Sequence, residues 1–112
     1  MTEFDPELFE DKYANYFTEL QRAYKNAFEA MNDRHDSELI HAIDQQILNE
    51  SEPFYDAERG AFTVELPEAP TDRLTAIVVD DETVAETLDR YVAEIESQLY
   101  RVFDLEPPAE GE

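Results

Sequence analysis

The sequence contains no cysteine and only two glycines, Gly60 and Gly111. Without cysteine, the chain can form no disulfide, no thiolate metal site and no cysteine nucleophile. Two isolated glycines provide no glycine-rich loop to cradle the phosphates of a nucleotide. No serine stands in the G-x-S-x-G turn that presents the nucleophile of α/β-hydrolases. These absences exclude several classes of enzyme and weigh modestly against catalysis.

Long apolar runs are also missing. The opening residues, MTEFDPELFED, contain neither the cationic region nor the apolar stretch of a signal peptide. No run approaches the roughly 18 apolar residues that a membrane-spanning helix needs. We therefore expect a soluble, cytoplasmic protein with no membrane partner.

Positive charge is scarce. The chain has 29 aspartates and glutamates against 8 lysines and arginines, which gives a net charge of −21, and Lys12 and Lys25 are its only lysines. No segment concentrates basic residues to neutralise phosphates, so direct binding of nucleic acid is disfavoured. The like charges would destabilise the compact state at low salt, but at 1 M salt the Debye length falls to about 3 Å. The composition therefore predicts a halophilic protein.

An acidic chain can also mimic nucleic acid or bind a basic protein surface. Such a mimic is expected to have one face that is more densely acidic than the others, whereas the acidic residues here are spread over every segment. We favour adaptation to a salty solvent and keep the acidic mimic as an alternative.

The residues that are present predict a folded domain beginning with a long helix. Apolar residues make up 42% of the 112 residues, and seven phenylalanines and six tyrosines are among them. Asp5 is a suitable N-cap and Pro6 a suitable first helical residue. Apolar residues then recur at alternating steps of four and three, which predicts one helix to about residue 32. The positions that form this pattern are Phe9, Tyr13, Tyr16, Leu20, Ala23 and Ala27.

A second helix and a hairpin are predicted next. Asp36 or Ser37 caps the helix, which we expect to reach about residue 49, ahead of the helix-disrupting Pro53. The segment 54–66 has the pattern of a β-hairpin, because apolar and polar residues alternate in its second half.

A third strand is predicted over residues 74–79, which are the most apolar stretch. Asp80 or Asp81 then caps a final helix that ends before residue 107. The predicted fold is α+β in the order α-α-β-β-β-α, with a small antiparallel sheet packed against two long helices and one shorter helix. We expect residues 1–106 to form a single α+β domain and residues 107–112 to be a disordered acidic tail.

Three stretches together resemble a small haloarchaeal protein family of unknown function. They are DPELFEDKYANYFTELQRAYKNAF, SELIHAIDQQILNESEPFY and DRLTAIVVDDE, and the resemblance extends over nearly the whole chain. It implies a cytoplasm that holds molar potassium chloride, in agreement with the composition. The resemblance supplies no activity, so it transfers no catalytic residue and no cofactor to this chain.

Glu38 and His41 have the i, i+3 spacing with which ferritin-like bundles hold a di-iron centre. Such a centre needs a second copy of the motif, but Asn32 stands three residues before the other histidine, His35. At 100° per residue, the isoleucines of this helix cluster on the side opposite His41. We therefore predict an amphipathic helix with histidine on its solvated face, and neither a metal site nor a cofactor site.

The aromatic stripe of the first helix is the main candidate for function. A helix of that length outreaches a small sheet, so part of its stripe can remain exposed as an interface, although the stripe can equally be used for the core alone. The alternating spacing fits a helix–helix seam. The predicted interface residues are Tyr13, Tyr16, Leu20 and Tyr24, with Tyr91, Ile95 and Leu99 of the last helix.

Three functions stay open at this point. The leading hypothesis is a non-catalytic module for protein–protein interaction or self-association. The second is a small enzyme or ligand-binding protein with a polar pocket between the second helix and the hairpin, lined by Glu38, His41, Tyr55 and Arg59. The third is the acidic mimic described above, which would bind a basic protein surface.

Overall fold

The computed structural model describes residues 4–68, 74 and 80–105. These residues form five α-helices and one two-stranded antiparallel sheet, which confirms the α+β class. Of the third predicted strand, 74–79, only Leu74 is described, and the predicted tail, 107–112, also lies outside the described residues. The elements are α1 (Pro6–Phe9), α2 (Lys12–Asn15), α3 (Phe17–Arg34), α4 (Ser37–Gln46), a 3₁₀ turn (Leu48–Glu50), β1 (Glu52–Asp56), β2 (Ala61–Glu65) and α5 (Asp81–Val102).

The prediction of one continuous helix to about residue 32 is wrong, because the chain interrupts it twice. Helix α1 begins as expected: the Asp5 carboxylate accepts a hydrogen bond from the Glu7 N–H at 2.9 Å, and Pro6 lies in the first turn. The first interruption separates α1 from α2. The second lies at Tyr16, whose backbone (φ −130°, ψ 24°) is not helical and separates α2 from α3.

Tyr16 accounts for the second break. Its side chain is 3% exposed, and its hydroxyl accepts a hydrogen bond from the Asp5 N–H at 3.0 Å. Its ring centroid lies 6.1 Å from that of Phe9, although seven residues of straight helix would separate the two positions by about 10 Å along the axis. The break therefore lets the chain bend back and pack aromatic rings that a straight helix would hold apart.

Helices α3 and α5 pack against each other in the centre of the core. Ala23 and Ala27 of α3 are fully buried, and such small side chains allow two helices to approach closely. Tyr91, Ile95 and Leu99 of α5 are fully buried as well. In the part of the chain that the structure describes, no helix is both long and apolar enough to cross a lipid bilayer.

Helix α4 has the two faces that its sequence predicts. Asp36 caps it by accepting a hydrogen bond from the Glu38 N–H at 2.9 Å. Ile40 and Ile43 are fully buried, whereas Glu38 and His41 are exposed. The helix ends at Gln46, and the 3₁₀ turn then occupies the last residues predicted to be helical.

Strands β1 and β2 form the predicted hairpin. They pair in antiparallel register from Glu52 opposite Glu65 to Asp56 opposite Ala61. Gly60 closes the turn with a φ of +64°, a left-handed conformation that glycine adopts without steric cost.

Side chains of α5 occupy the edge of β2 that faces away from β1. The Tyr100 hydroxyl accepts a hydrogen bond from the Phe62 N–H at 2.8 Å, and the Glu96 carboxylate accepts one from the Val64 N–H at 3.1 Å. Unpaired N–H groups on a strand edge otherwise invite another strand. At these two positions α5 therefore takes the place that a further strand would use for pairing.

Candidate functional site

The structure divides the seven predicted interface residues into two groups. Tyr13 is 54% exposed and Tyr24 is half-buried. The periodic pattern on α3 and α5 follows the sides on which these helices pack, so the remaining residues belong to the core. These five, each 4% exposed or less, are Tyr16, Leu20, Tyr91, Ile95 and Leu99. In this conformation only Tyr13 and Tyr24 of the seven can offer substantial side-chain surface to a partner.

Tyr13 and Tyr24 lie on a groove between helices α2 and α3 and the segment 49–53. Phe17, the first residue of α3, lines the same groove and is 50% exposed. We call this surface the aromatic groove. Its cavity volume is about 240 Å³, and its lining residues are Tyr13, Phe17, Leu20, Gln21, Tyr24, Asn49, Ser51 and Pro53.

The break in the helix explains why aromatic side chains are exposed here. Tyr16 takes the inward position, where its ring packs on Phe103 at a centroid distance of 4.9 Å. Its neighbours in the aromatic pattern, Tyr13 and Phe17, remain at the surface on either side of it. Phe17 is not among the predicted interface residues, because its exposure depends on the break at Tyr16, which the sequence pattern does not show.

Two hydrogen bonds at Ser51 stabilise the groove, and one of them joins its two walls. The Ser51 hydroxyl donates to the Leu48 carbonyl oxygen at 2.7 Å and lies 3.1 Å from the Tyr24 hydroxyl. A serine hydroxyl has one proton to give, so Tyr24 is the donor to Ser51. This chain of bonds holds α3 against the segment that follows α4 and keeps the groove at a defined width.

A buried ammonium group lies against the groove wall that contains Tyr13. Lys12 is 4% exposed, and its Nζ donates a hydrogen bond to the Glu52 carboxylate at 2.9 Å. The same nitrogen lies over three aromatic rings, at 5.4 Å from the centroid of Phe9, 5.3 Å from Tyr13 and 4.8 Å from Phe54. These distances are within the roughly 6 Å over which a ring face attracts a cation.

The charge of Glu52 also reaches the groove. Burial raises the pKa of the Tyr13 hydroxyl, and the Glu52 carboxylate raises it further. Burial likewise raises the pKa of Tyr24, and the Glu52 carboxylate adds to the increase. Burial is the larger cause at both tyrosines, and the smaller contribution of Glu52 shows that its negative charge acts on both hydroxyls.

The residues proposed for a polar pocket near His41 have separate neighbours. The His41 ring is exposed, packs edge-on against Phe28 at 4.9 Å, and has its Nδ1 2.9 Å from the Ser37 carbonyl oxygen. Because a carbonyl only accepts, Nδ1 bears the proton of this hydrogen bond. Tyr55 packs instead on Phe4, at a centroid distance of 4.8 Å.

Arg59, the last residue proposed for that pocket, lines a different surface. It lies with Arg101, Ser97 and Tyr100 on a cleft of about 540 Å³ between the hairpin and α5. Glu96, which accepts the hydrogen bond from β2, lines the same cleft, so its charges are mixed.

Residues 4–68, 74 and 80–105 contain no group of three or more histidine, aspartate or glutamate side chains arranged to hold a metal ion. Glu38 and His41 lie on the exposed face of α4, where the histidine ring is oriented by its own helix through the Ser37 carbonyl.

Comparison with known proteins shows a family but no activity. No curated protein and no solved structure matches the chain. One family model matches residues 1–106, which is most of the sequence. The chain therefore belongs to the family of unknown function DUF5783.

Proposed function

We propose that this chain is a non-catalytic protein–protein interaction module that docks a protein partner, or a second copy of itself, through the aromatic groove. The supporting observation is the exposure of Tyr13 and Phe17, at 54% and 50%, beside the half-buried Tyr24. Exposed apolar patches with polar surroundings are typical of interaction sites, and interface cores are enriched in aromatic residues.

The groove also has the rigidity that an interface needs. The Tyr24–Ser51 hydrogen bond joins α3 to the segment 49–53, and the Lys12–Glu52 ion pair joins α2 to the same segment. A surface that is already ordered loses little conformational entropy when a partner binds. This favours docking onto a preformed site over folding upon binding.

The proposal includes the solvent in which docking takes place. A net charge of −21 and only two lysines suit a haloarchaeal cytoplasm, where salt screens repulsion between acidic surfaces. Apolar contacts between aromatic side chains do not depend on charge, so salt does not weaken them by screening. An interface built on Tyr13 and Phe17 is therefore suited to high salt, and direct binding of nucleic acid has no part in the proposal.

Sedimentation velocity in about 2 M KCl tests this function. The full chain, purified from a high-salt lysate, is compared with a Tyr13→Ser/Phe17→Ser double variant and with Leu8→Ser as a matched control. Leu8 is 45% exposed but does not line the groove. Because all three side chains are substantially exposed, each substitution should change the free energy of unfolding by only about 0.5 kcal/mol.

We expect the natural chain and Leu8→Ser to sediment as a dimer or as a complex with a co-purifying protein. The double variant should sediment as a folded monomer, since it lacks the two rings that the partner covers. A natural chain that is monomeric with no co-purifying protein would contradict the proposal. So would a double variant that retains the complex.

A further inference from the structure

The size of the aromatic groove limits what it can receive. Its volume, about 240 Å³, is below the roughly 300–1,000 Å³ of sites that enclose small molecules and cofactors. The space suits one or two side chains of a protein segment. Its rings and its apolar Leu20 and Pro53 can cover the stem of a long side chain.

The aromatic rings of the groove favour a cationic head group on that side chain. Gln21 and Asn49 line the groove, and the side-chain amide of each has an oxygen that can accept a hydrogen bond from such a head group. The faces of the Tyr13, Phe17 and Tyr24 rings are negative, and such faces attract ammonium and guanidinium groups. Lys12 already shows this chemistry in the same wall, because its Nζ lies 5.3 Å from the Tyr13 ring.

The charges around the groove agree with a cationic occupant. Glu52 raises the pKa of Tyr13 and that of Tyr24, and its side chain is 46% exposed. Lys12 is paired with Glu52 and buried, so it does not present its charge to an incoming group. Lys25 lies on α3 one turn beyond Gln21 and is exposed, but it does not line the groove.

A second copy of the chain is the less favourable occupant. Two copies bring together net charges of −21 each, which repel one another, whereas a basic segment is attracted by the same field. Salt weakens both effects, but the attraction between a ring face and a desolvated cation at short range is screened much less.

We infer that the aromatic groove receives an arginine or lysine side chain from a basic segment of a partner protein. This inference rests on the proposed function, because it names the chemistry of the partner that docks on the same surface. The cation lies over the rings of Tyr13 and Phe17, the stem packs on Leu20 and Pro53, and the amide oxygens of Gln21 and Asn49 accept hydrogen bonds from the head group.

Arginine amide is a suitable probe, and citrulline amide is its neutral counterpart of nearly equal shape. Both are titrated into the ¹⁵N-labelled full chain and followed by backbone amide shifts. Arginine amide should change the backbone amide shifts of residues 13–24 and 49–53. Its affinity should be at least about tenfold higher than that of citrulline amide. The double substitution Tyr13→Ala/Phe17→Ala should lower the affinity for arginine amide by about tenfold, whereas Leu8→Ala should leave that affinity unchanged.

Equal binding of the two amides, or shifts that survive the double substitution, would overturn the inference. A complete absence of shifts with arginine amide would also overturn it. None of these outcomes affects the sedimentation experiment, in which the Tyr13→Ser/Phe17→Ser chain loses its complex whatever chemistry the partner has. Failure of the cationic occupant can therefore be told apart from failure of the groove as an interface.

Discussion

The Nζ of Lys12 donates a hydrogen bond to the Glu52 carboxylate at 2.9 Å and so joins α2 to the first residue of β1. The two partners differ in environment, since the lysine side chain is 5% exposed and the glutamate side chain 46% exposed. The pair therefore anchors the hairpin against the helix that contains Tyr13, one wall of the aromatic groove.

This asymmetry predicts that replacing Glu52 and replacing Lys12 lower the free energy of unfolding by different amounts. Glu52→Ala leaves a buried ammonium without its partner and should lower the free energy of unfolding by about 2–3 kcal/mol. Lys12→Met keeps an unbranched stem against the rings, and the remaining carboxylate can be hydrated, so it should cost less than about 1 kcal/mol. Urea unfolding at fixed KCl measures both, and equal costs would contradict the buried-lysine account.

The Tyr16 hydroxyl predicts a second effect, on the N-terminal helices. Tyr16→Phe removes the acceptor of the Asp5 N–H and should lower the free energy of unfolding by about 1 kcal/mol. Tyr13→Phe is the matched control. Because Tyr13 is 54% exposed, loss of its hydroxyl should leave the free energy of unfolding almost unchanged. Hydrogen exchange should also show faster exchange in residues 5–9 of Tyr16→Phe alone. Unchanged exchange there would mean that this hydrogen bond does not hold α1 in place.

The close contact between α3 and α5 predicts a steric effect at Ala27. Ala27 is fully buried, so Ala27→Leu inserts a branched side chain where there is no space and should cost about 1–3 kcal/mol. Ala85→Leu, on the exposed side of α5, serves as control and should cost under about 0.5 kcal/mol. Thermal unfolding of both variants provides the comparison, and an unaffected Ala27→Leu would show that the helices are not tightly packed there.

Asp44 predicts a pH dependence. Burial raises the pKa of its carboxyl above the ordinary 3.8, and His41 and the Tyr91 hydroxyl act in the opposite direction without cancelling the increase. A raised pKa means that the folded chain holds this proton more tightly than the unfolded chain does. The resulting stabilisation is full below pH 3.8 and is lost as the pH rises through the folded pKa.

Asp44→Asn should therefore be more stable than the natural chain at neutral pH, where the natural carboxylate is ionised and partly desolvated. Its advantage should shrink as the pH falls towards 3.8, because the natural chain then takes up its proton. Asp89→Asn, at an exposed position on α5, controls for the loss of one negative charge. Chemical unfolding across this pH range measures the difference, and a constant advantage at every pH would point to a cause other than ionisation.

Several parts of the fold could be predicted because local chemistry decides them. Three helices begin at aspartate caps whose carboxylates accept a hydrogen bond from an N–H of the first turn, as residue type and position suggest. These caps are Asp5, Asp36 and Asp80. The hairpin is equally local, since Gly60 permits its turn and alternation sets its register. The faces of α4 follow directly from the helical period.

The break at Tyr16 could not be predicted, because the contacts that cause it are distant in sequence. A straight helix and a broken one share the same apolar spacing, and only the contacts of Tyr16 with Asp5 and Phe103 favour the second. Lys12 gave a similarly ambiguous signal. It follows two acidic residues in the sequence, and its burial depends on distant partners, the Glu52 carboxylate and the Phe54 ring.

The candidate site was consequently predicted in part. Tyr13 and Tyr24 lie in the aromatic groove, but the exposure of Phe17 depends on the inward turn of the residue before it. The predicted seam through Tyr91, Ile95 and Leu99 uses the same spacing as the core-facing side of α5, where all three are buried. Spacing alone does not distinguish a seam between two chains from the contact of α5 with α3.

Hydroxyl-radical footprinting tests the central claim most directly, because it reports the exposure of individual side chains in the assembled and dissociated protein. Tyr13 and Phe17 are half exposed in the single chain, and Leu8, 45% exposed and outside the groove, is the internal control. We predict that oxidation of Tyr13 and Phe17 falls several-fold in the complex while that of Leu8 stays the same. If the oxidation of Tyr13 and Phe17 is the same in the complex as in the single chain, the aromatic groove is not the docking surface.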